Sequence, residues 1–194
     1  EDVGRYGGTY AVSRGLLDEF GPERIRDTPL SESAFVGAGI GAALGGMRPI
    51  VAIYSTFLQR GFDQIFHDVC LMDLPVTFAL DRGGIAGNDG WTHHGLFDYA
   101  FFRIFPNSIV MAPKDENELQ HMLATAVEQP HPTAVRYPRG NGIGVPLDAE
   151  FRQLPIGKAE ILRRGRHGLV WAIGSTVYPA LEAIEQRRFG EQHR

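Results

Sequence analysis

Hydrophobic and polar residues follow one another along this chain in blocks of two kinds. Residues 49–54 (PIVAIY), 74–80 (LPVTFAL), 108–111 and 133–137 are short apolar runs, and they predict buried strands. The blocks between them, residues 61–72, 96–105 and 115–128, predict helices. In the last of these, Leu119, Met122, Leu123, Ala126 and Val127 recur at helical spacing. Asp115, Glu116 and Glu118 fall in its first turn, where the helix dipole favours acidic groups. Strand and helix in regular alternation predict an α/β fold, a parallel sheet with helices on both faces.

Residues 31–46 form a block of another sort, rich in alanine and glycine. Thr28 or Ser31 can cap a helix there, and Pro29 is tolerated in a first turn. Each glycine inside a helix costs about 1 kcal/mol, so Gly37, Gly39, Gly41 and Gly45 predict close approach to the sheet or to a second subunit. Beyond Arg139, GNGIGV and Pro146 read as a loop. Residues 156–163, 168–174 and 177–187 then predict strand, strand and helix, the opening of another domain. The division expected is 1–146 for the main domain, 147–155 for a linker and 156–194 for a partial C-terminal domain.

Composition narrows the function classes. The 194 residues carry a net charge of -4, which gives no reason to expect nucleic acid or an anionic membrane as partner. No run approaches the roughly 18 apolar residues of a membrane span. A single cysteine, Cys70, excludes an internal disulfide and fits a reducing, cytoplasmic setting. The acidic opening without a methionine points to a fragment or processed piece.

Two loops that follow predicted strands hold the candidate chemistry, since an open α/β sheet binds ligands beyond its strands' carboxyl ends. One is YSTFLQRGFDQ, with Tyr54, Phe57, Arg60 and Asp63; the other is DRGGIAGNDGWTHHG, with Arg82, Asp89, His93 and His94. Tyr54 and Phe57 read either as plain core or, from their place at a strand's carboxyl end with Arg60 and Asp63 following, as a ring-binding edge. Arg82 and Arg139 stand at equivalent edges of the sheet, where two planar guanidinium forks can converge on one phosphate. Glu32, near the start of the glycine-rich helix, is a carboxylate in apolar surroundings and a candidate for proton sharing. Asp89, His93 and His94 lack the spacing of a metal site and read as hydrogen-bonding groups for a substrate. His67 reads as structural. GAGIGA at residues 37–42 has the letters of a dinucleotide fingerprint without its preceding strand, so helix packing is the expectation.

From about residue 49 to 145 the chain resembles the pyrimidine-binding domain of 1-deoxy-D-xylulose-5-phosphate synthase, a thiamine-diphosphate enzyme of the transketolase group. YSTFLQRGFDQIFHDV, DRGGIAGNDGWTHHGLFD, PKDENEL and RYPRGNGIGV carry the resemblance. LPIGKAEILRRG and IGSTVYPALEA are similar to the start of that family's C-terminal domain. The first residues, EDVGRYGGTYAVSRGLLDEFGPERIRDTPLSESAFVGAGIGAA, look more like the beta-type subunit of 2-oxo acid dehydrogenases. Both families place a catalytic glutamate at Glu32; the synthases' histidine two places later is Ala34 here.

The resemblance implies condensation of pyruvate with glyceraldehyde 3-phosphate, yielding a product used for isoprenoids, thiamine and pyridoxal. It implies Glu32 hydrogen-bonded to the cofactor's aminopyrimidine, Phe57 stacked on that ring, and Tyr54 and Arg60 beside it. Tyr54, Asp89 and His93 would face the substrate, and Arg82 and Arg139 would hold its phosphate. Thiamine diphosphate and Mg2+ would also need a Gly-Asp-Gly segment; this chain has only Asn88-Asp89-Gly90, so a further domain or subunit of a homo- or hetero-oligomer is implied. Two alternatives stay open. One is a beta-type dehydrogenase subunit that passes an acyl group to a lipoyl arm; the other is a truncated homologue with an assembly or regulatory role.

Overall fold

The computed structural model describes residues 2–191. Four strands, β1 (Ile50–Tyr54), β2 (Thr77–Asp81), β3 (Ile109–Met111) and β4 (Thr133–Arg136), form one parallel sheet in the order β1-β2-β4-β3. All four predicted strands are present: three are one residue shorter than expected, and β2 starts three residues later and ends one residue later. The chain runs outward from β2 to β3 and returns to insert β4 between them. If each parallel crossover keeps the usual right hand, that reversal sends the returning helix to the opposite face.

The two cores have that arrangement. Val51, Ile53, Phe78, Leu80 and Ala134 point to one face, under α2 (Glu32–Leu44), α3 (Phe62–Gln64) with its flanking turns, and α4 (Asp98–Ile104). Ile109, Met111, Val135 and Tyr137 point to the other, under α5 (Glu116–Glu128) with Leu119, Met122, Leu123 and Ala126. Asp115 caps α5 by accepting the Glu118 N–H at 2.7 Å. The segment predicted as one helix over residues 61–72 is irregular: a 3-10 turn at Phe57–Gly61 leads into α3 and then a π turn at Ile65–Cys70. Bulky Phe62, Ile65 and Phe66 pack into the core there, and tertiary packing overrides the regular repeat.

Before the sheet, a 3-10 turn at Thr9–Ala11 and the short α1 (Leu16–Phe20) lie in a loop region. The Asp27 carboxylate ties this region together by accepting the Gly4 and Arg5 N–H groups at 2.8 and 2.9 Å.

Four expectations need correction. Ser31 stands at the N-cap of α2, yet its hydroxyl donates to the Pro29 carbonyl instead of capping the helix. Of the four helix glycines, Gly39 alone is pressed against the sheet: a Cβ there would sit 2.7 Å from Val51 Cγ2, while nothing lies within 4 Å of one at Gly41. His67 is exposed and pairs with its neighbour Asp68 at 2.9 Å, so it holds no part of the core together. Residues 156–163 and 168–174 are not strands; among the described residues no strand pairs with them, and an unpartnered extended segment has no ladder to stabilise it. The helix expected next does form, as α6 (Val177–Glu191).

Residues 142–154 are also more than a free linker. Glu116 accepts the N–H groups of Ile143, Gly144 and Val145 at 3.1, 2.6 and 3.0 Å. His121, fully buried, bonds Asp148 at 2.8 Å, and the Thr125 hydroxyl accepts the Leu154 N–H at 2.9 Å. Side chains of α5 thus strap this segment along the helix.

The glycine contrast gives a test of opposite signs. Gly39→Ala overpacks the α2–β1 contact and is expected to lower the unfolding free energy by about 1 kcal/mol, even after the gain in helix propensity. Gly41→Ala meets no atom and is expected to raise it by about 0.5–1 kcal/mol. Urea unfolding of both variants checks this, and a stabilised Gly39→Ala would mean that α2 does not sit on Val51.

Candidate active site

Parallel register sets the site. Tyr54 at the end of β1 pairs with Asp81 at the end of β2, and Leu80 pairs with Arg136 at the end of β4. Three strand ends therefore deliver their last side chains to one edge. Tyr54 stacks on Phe57, with centroids 5.1 Å apart, and the His93 ring meets the Phe57 ring edge-on at 5.4 Å. The Arg60 guanidinium lies 5.5 Å from the Phe57 centroid and donates from Nη1 to Glu32 Oε1 at 2.6 Å. Glu32 is 9% exposed, at the first position of α2, where the dipole favours its charge. Its burial cost is offset by Arg60, whose own side chain is largely in solvent. A carboxylate, two stacked aromatics and an imidazole thus share one ledge.

The second cluster adjoins the first. Arg82 is 4% exposed and holds a positive φ of 54°. For a residue with a side chain, that conformation costs on the order of 1 kcal/mol. It accompanies a guanidinium 3.9 Å from the Tyr54 centroid, with Nε donating to Asp89 Oδ2 at 2.7 Å and Nη1 to Asp81 Oδ2 at 2.8 Å. Arg139 Nε also reaches Asp89 Oδ2, at 3.1 Å. The Arg82 hydrogen bond, followed by the charges of Arg82 and Arg139, holds the Asp89 carboxyl below the ordinary aspartate range. Asp81 moves the other way, raised chiefly by burial against the opposing pull of Arg82.

The His94 ring is taken up inside its loop, where Nδ1 accepts the Ala86 N–H at 3.1 Å, and Asp63 is exposed; the structure brings Glu32, Tyr54, Phe57, Arg60, Arg82, Asp89, His93 and Arg139 together at this edge. Two differ from expectation in their state. Arg82 is not a wholly free anion ligand, because its Nε and Nη1 already engage two carboxylates. Asp89 is neutralised between two arginines, so it offers little to a metal ion or a substrate hydroxyl. Among the described residues, no group of three or more His, Cys, Asp or Glu is placed to hold a metal.

Four contributors escaped the sequence reading. Asp81 stood first in its motif loop with no role assigned to it, and the structure makes it the last residue of β2. Arg136, half-buried, pairs with the buried Asp98 at 2.8 Å beneath the loop, where Arg136 Nη2 also donates to the Gly95 carbonyl at 3.3 Å. The loop is further held by paired bonds between Gly84 and Gly95, at 2.7 and 2.8 Å. Gly95 has no room for a side chain, since a Cβ would lie 2.6 Å from the Arg82 carbonyl oxygen. The fourth is Tyr10, whose hydroxyl accepts from Arg139 Nε at 2.8 Å. A glycine immediately after two histidines was the one available signal for the loop's anchoring.

Comparison with known proteins agrees with this fold. The family model described as "Transketolase, pyrimidine binding domain" matches residues 1–143. The chain is 62% identical over 164 residues to 1-deoxy-D-xylulose-5-phosphate synthase 1 of Geobacter metallireducens, covering 84% of this chain and 26% of that protein. It is 57% identical over 181 residues to 1-deoxy-D-xylulose-5-phosphate synthase of Pelotomaculum thermopropionicum, covering 91% and 28%. The chain thus spans about a quarter of the length of these curated relatives. Among solved structures it is similar to one titled "Split gene transketolase, inactive beta4 tetramer", with a TM-score of 0.80, 24% identity, and coverage of 93% of this chain and 58% of that one. At that identity the likeness speaks for the fold alone.

The lowered Asp89 carboxyl makes the cluster acid-sensitive with a definite sign. A carboxyl whose folded value lies below its unfolded one stabilises fully above the unfolded value, near pH 4, and loses that contribution as pH falls through the folded value. Asp89→Asn removes this term. Urea midpoints measured between about pH 2 and 7 should therefore fall less steeply on the acid side for Asp89→Asn than for wild type. Equal slopes would mean that Asp89 is not held by the arginines.

Proposed function

This chain belongs to the family of transketolase pyrimidine-binding domains, and we propose that it supplies the pyrimidine half of a thiamine-diphosphate site that condenses pyruvate with glyceraldehyde 3-phosphate to 1-deoxy-D-xylulose 5-phosphate and CO2. The observation that carries this reading is the buried Glu32 carboxylate on the same ledge as the Tyr54–Phe57 stack. The donor set fits the aminopyrimidine ring. One Glu32 oxygen is tied by Arg60, and the other is available, among the described residues, to a protonated ring nitrogen. Phe57 offers a flat apolar partner for the ring, and Arg60 borders it.

When bound, the cofactor supplies an electron sink for cleaving the bond between a carbonyl carbon and its carboxylate. Glu32 holds and returns a proton at the pyrimidine nitrogen, a role that requires a carboxyl rather than an amide. His93, packed edge-on against Phe57, is placed to hydrogen-bond a substrate oxygen and move a proton. Arg139 meets the substrate phosphate, with Arg82 beneath it as a fixed positive charge. Asp89 positions the two arginines, and Tyr54 packs on Arg82 at the substrate edge.

The diphosphate and Mg2+ belong to a complementary domain or subunit. Asp89, the carboxylate nearest in sequence to a Gly-Asp-Gly, is taken by guanidinium groups whose charge opposes a divalent cation. Residues 156–194 would then open the C-terminal domain, after the strapped segment around 147–155. The names of the relatives support the synthase over a dehydrogenase subunit, and so does the arginine pair, since a lipoyl-directed acyl transfer has no phosphate to bind. A cytoplasmic setting accords with the substrates; no described helix is long and apolar enough to cross a membrane.

The test combines the chain with a diphosphate-binding partner, thiamine diphosphate and Mg2+. Glu32→Gln is expected to keep the wild-type unfolding curve while turnover falls about a hundredfold or more. Exchange of the cofactor's thiazolium proton for deuterium should slow in parallel. Arg139→Ala is expected to raise KM for glyceraldehyde 3-phosphate about tenfold or more with pyruvate KM little changed. Normal proton exchange with Glu32→Gln would refute the assignment of that residue, and an unchanged aldehyde KM would count against the synthase reading.

A further inference from the structure

Tyr10 is part of neither loop that carries the site's motifs, yet it touches both arginines. Its ring centroid lies 5.4 Å from the Arg82 guanidinium carbon and 5.2 Å from that of Arg139. Its hydroxyl accepts the Arg139 Nε proton at 2.8 Å, in a bond spanning 129 residues of sequence. Arg139 Nε thus meets both this hydroxyl and Asp89 Oδ2, at 3.1 Å. Among the described residues its terminal Nη groups have no partner. The backbone around Tyr10 is built to deliver it: Tyr10 and Ala11 both have φ of 59°, and Gly7 and Gly8 precede them at 78° and 75°. The Ser13 N–H and hydroxyl close the loop onto the Gly7 and Val3 carbonyls, each at 2.8 Å. A left-handed backbone at two successive non-glycine residues is costly, and such strain gathers where a side chain must be held at a working position.

We propose that Tyr10 is a positioning residue for the anion site. With its ring against both guanidinium groups and its hydroxyl on Nε, it fixes Arg139 so that the two Nη groups point their donors at a phosphate. An untethered arginine would lose rotamer freedom on binding; one already held by Tyr10 and Asp89 loses less. The ring adds a face that favours two cations brought close together, which would otherwise repel each other. This inference rests on the reading of Arg82 and Arg139 as the phosphate site and adds the element that preorganises it.

The experiment titrates the chain with inorganic phosphate and follows the arginine Nε–H resonances by NMR, in wild type, Tyr10→Phe, Tyr10→Ala and Arg139→Ala. Without ligand, the Arg139 Nε–H signal should exchange slowly in wild type and quickly in Tyr10→Phe. Phosphate Kd should rise about tenfold in Tyr10→Phe, the loss expected for a hydrogen bond to a charged group. It should rise further in Tyr10→Ala, which also lacks the ring, with unfolding midpoints confirming that both variants fold. Wild-type Kd in both Tyr10 variants, with binding abolished in Arg139→Ala, would overturn the proposal and leave the phosphate site standing. Absence of phosphate binding by wild type would remove the phosphate reading and this proposal with it.

Discussion

The parallel pairing of β1 with β2 is the constraint on which the site depends. Tyr54 opposite Asp81 places an aromatic and a carboxylate side by side at one edge, and the chain's next residues, Ser55 and Arg82, begin the two functional loops. A shift of one residue would turn Val51, Ile53, Phe78 and Leu80 out of the core, so burial of these side chains holds the register. The same hydrophobic contacts that stabilise the sheet therefore fix the relative positions of Tyr54 and Arg82. Chemistry at this edge inherits its precision from the core.

Charge compensation then shapes what the edge can do. Burying Arg82 without partners would cost several kcal/mol, and Asp81 and Asp89 offset that cost. The consequence is a division of labour between two arginines that look alike in sequence. Arg82 becomes a fixed element under Tyr54, with Nε and Nη1 given to carboxylates. Arg139, with part of its side chain exposed, keeps donors for a ligand. Arg136 follows the same logic one layer lower, paired with Asp98 and packed on Tyr99, its guanidinium carbon 4.3 Å from that ring's centroid. Three arginines at one sheet edge are compatible because each has a carboxylate within ion-pair distance.

Much of this was legible in the chain. Alternating apolar and amphipathic blocks gave four strands and the helices between them, because β-branched runs and helical spacing report local geometry directly. The two motif loops gave six candidate site residues, since a strand's end is where open α/β sheets bind ligands, while Arg139 stood beyond the fourth strand and Glu32 at the start of the glycine-rich helix. What stayed hidden depends on contacts distant in sequence. Tyr10 reaches Arg139 only through a loop whose left-handed residues have no marker in their identities. Asp81 reads as the first residue of a loop, and only its contact with Arg82 beneath Tyr54 brings it into the cluster. Gly39 and Gly41 are indistinguishable as letters, and only the placement of α2 over Val51 separates them. The strands expected at residues 156–163 and 168–174 have suitable composition, but a strand is a property of a pair, and no described segment pairs with them.

The strap along α5 links the site's edge to whatever follows it. Glu116 gathers three successive N–H groups from the loop just after Arg139, so the loop that presents that arginine is anchored on a helix packed against β3 and β4. Farther along, His121 Nδ1 accepts the Arg152 N–H at 3.2 Å. Its proton must then sit on Nε2, donated to Asp148, and that bond holds the Asp148 carboxyl below its ordinary range. Residues 143 to 154 are thereby tied at both ends to α5. Between the segment beyond residue 154 and Arg139 thus stand the hydrogen bonds of Glu116, His121 and Thr125, all anchored on α5.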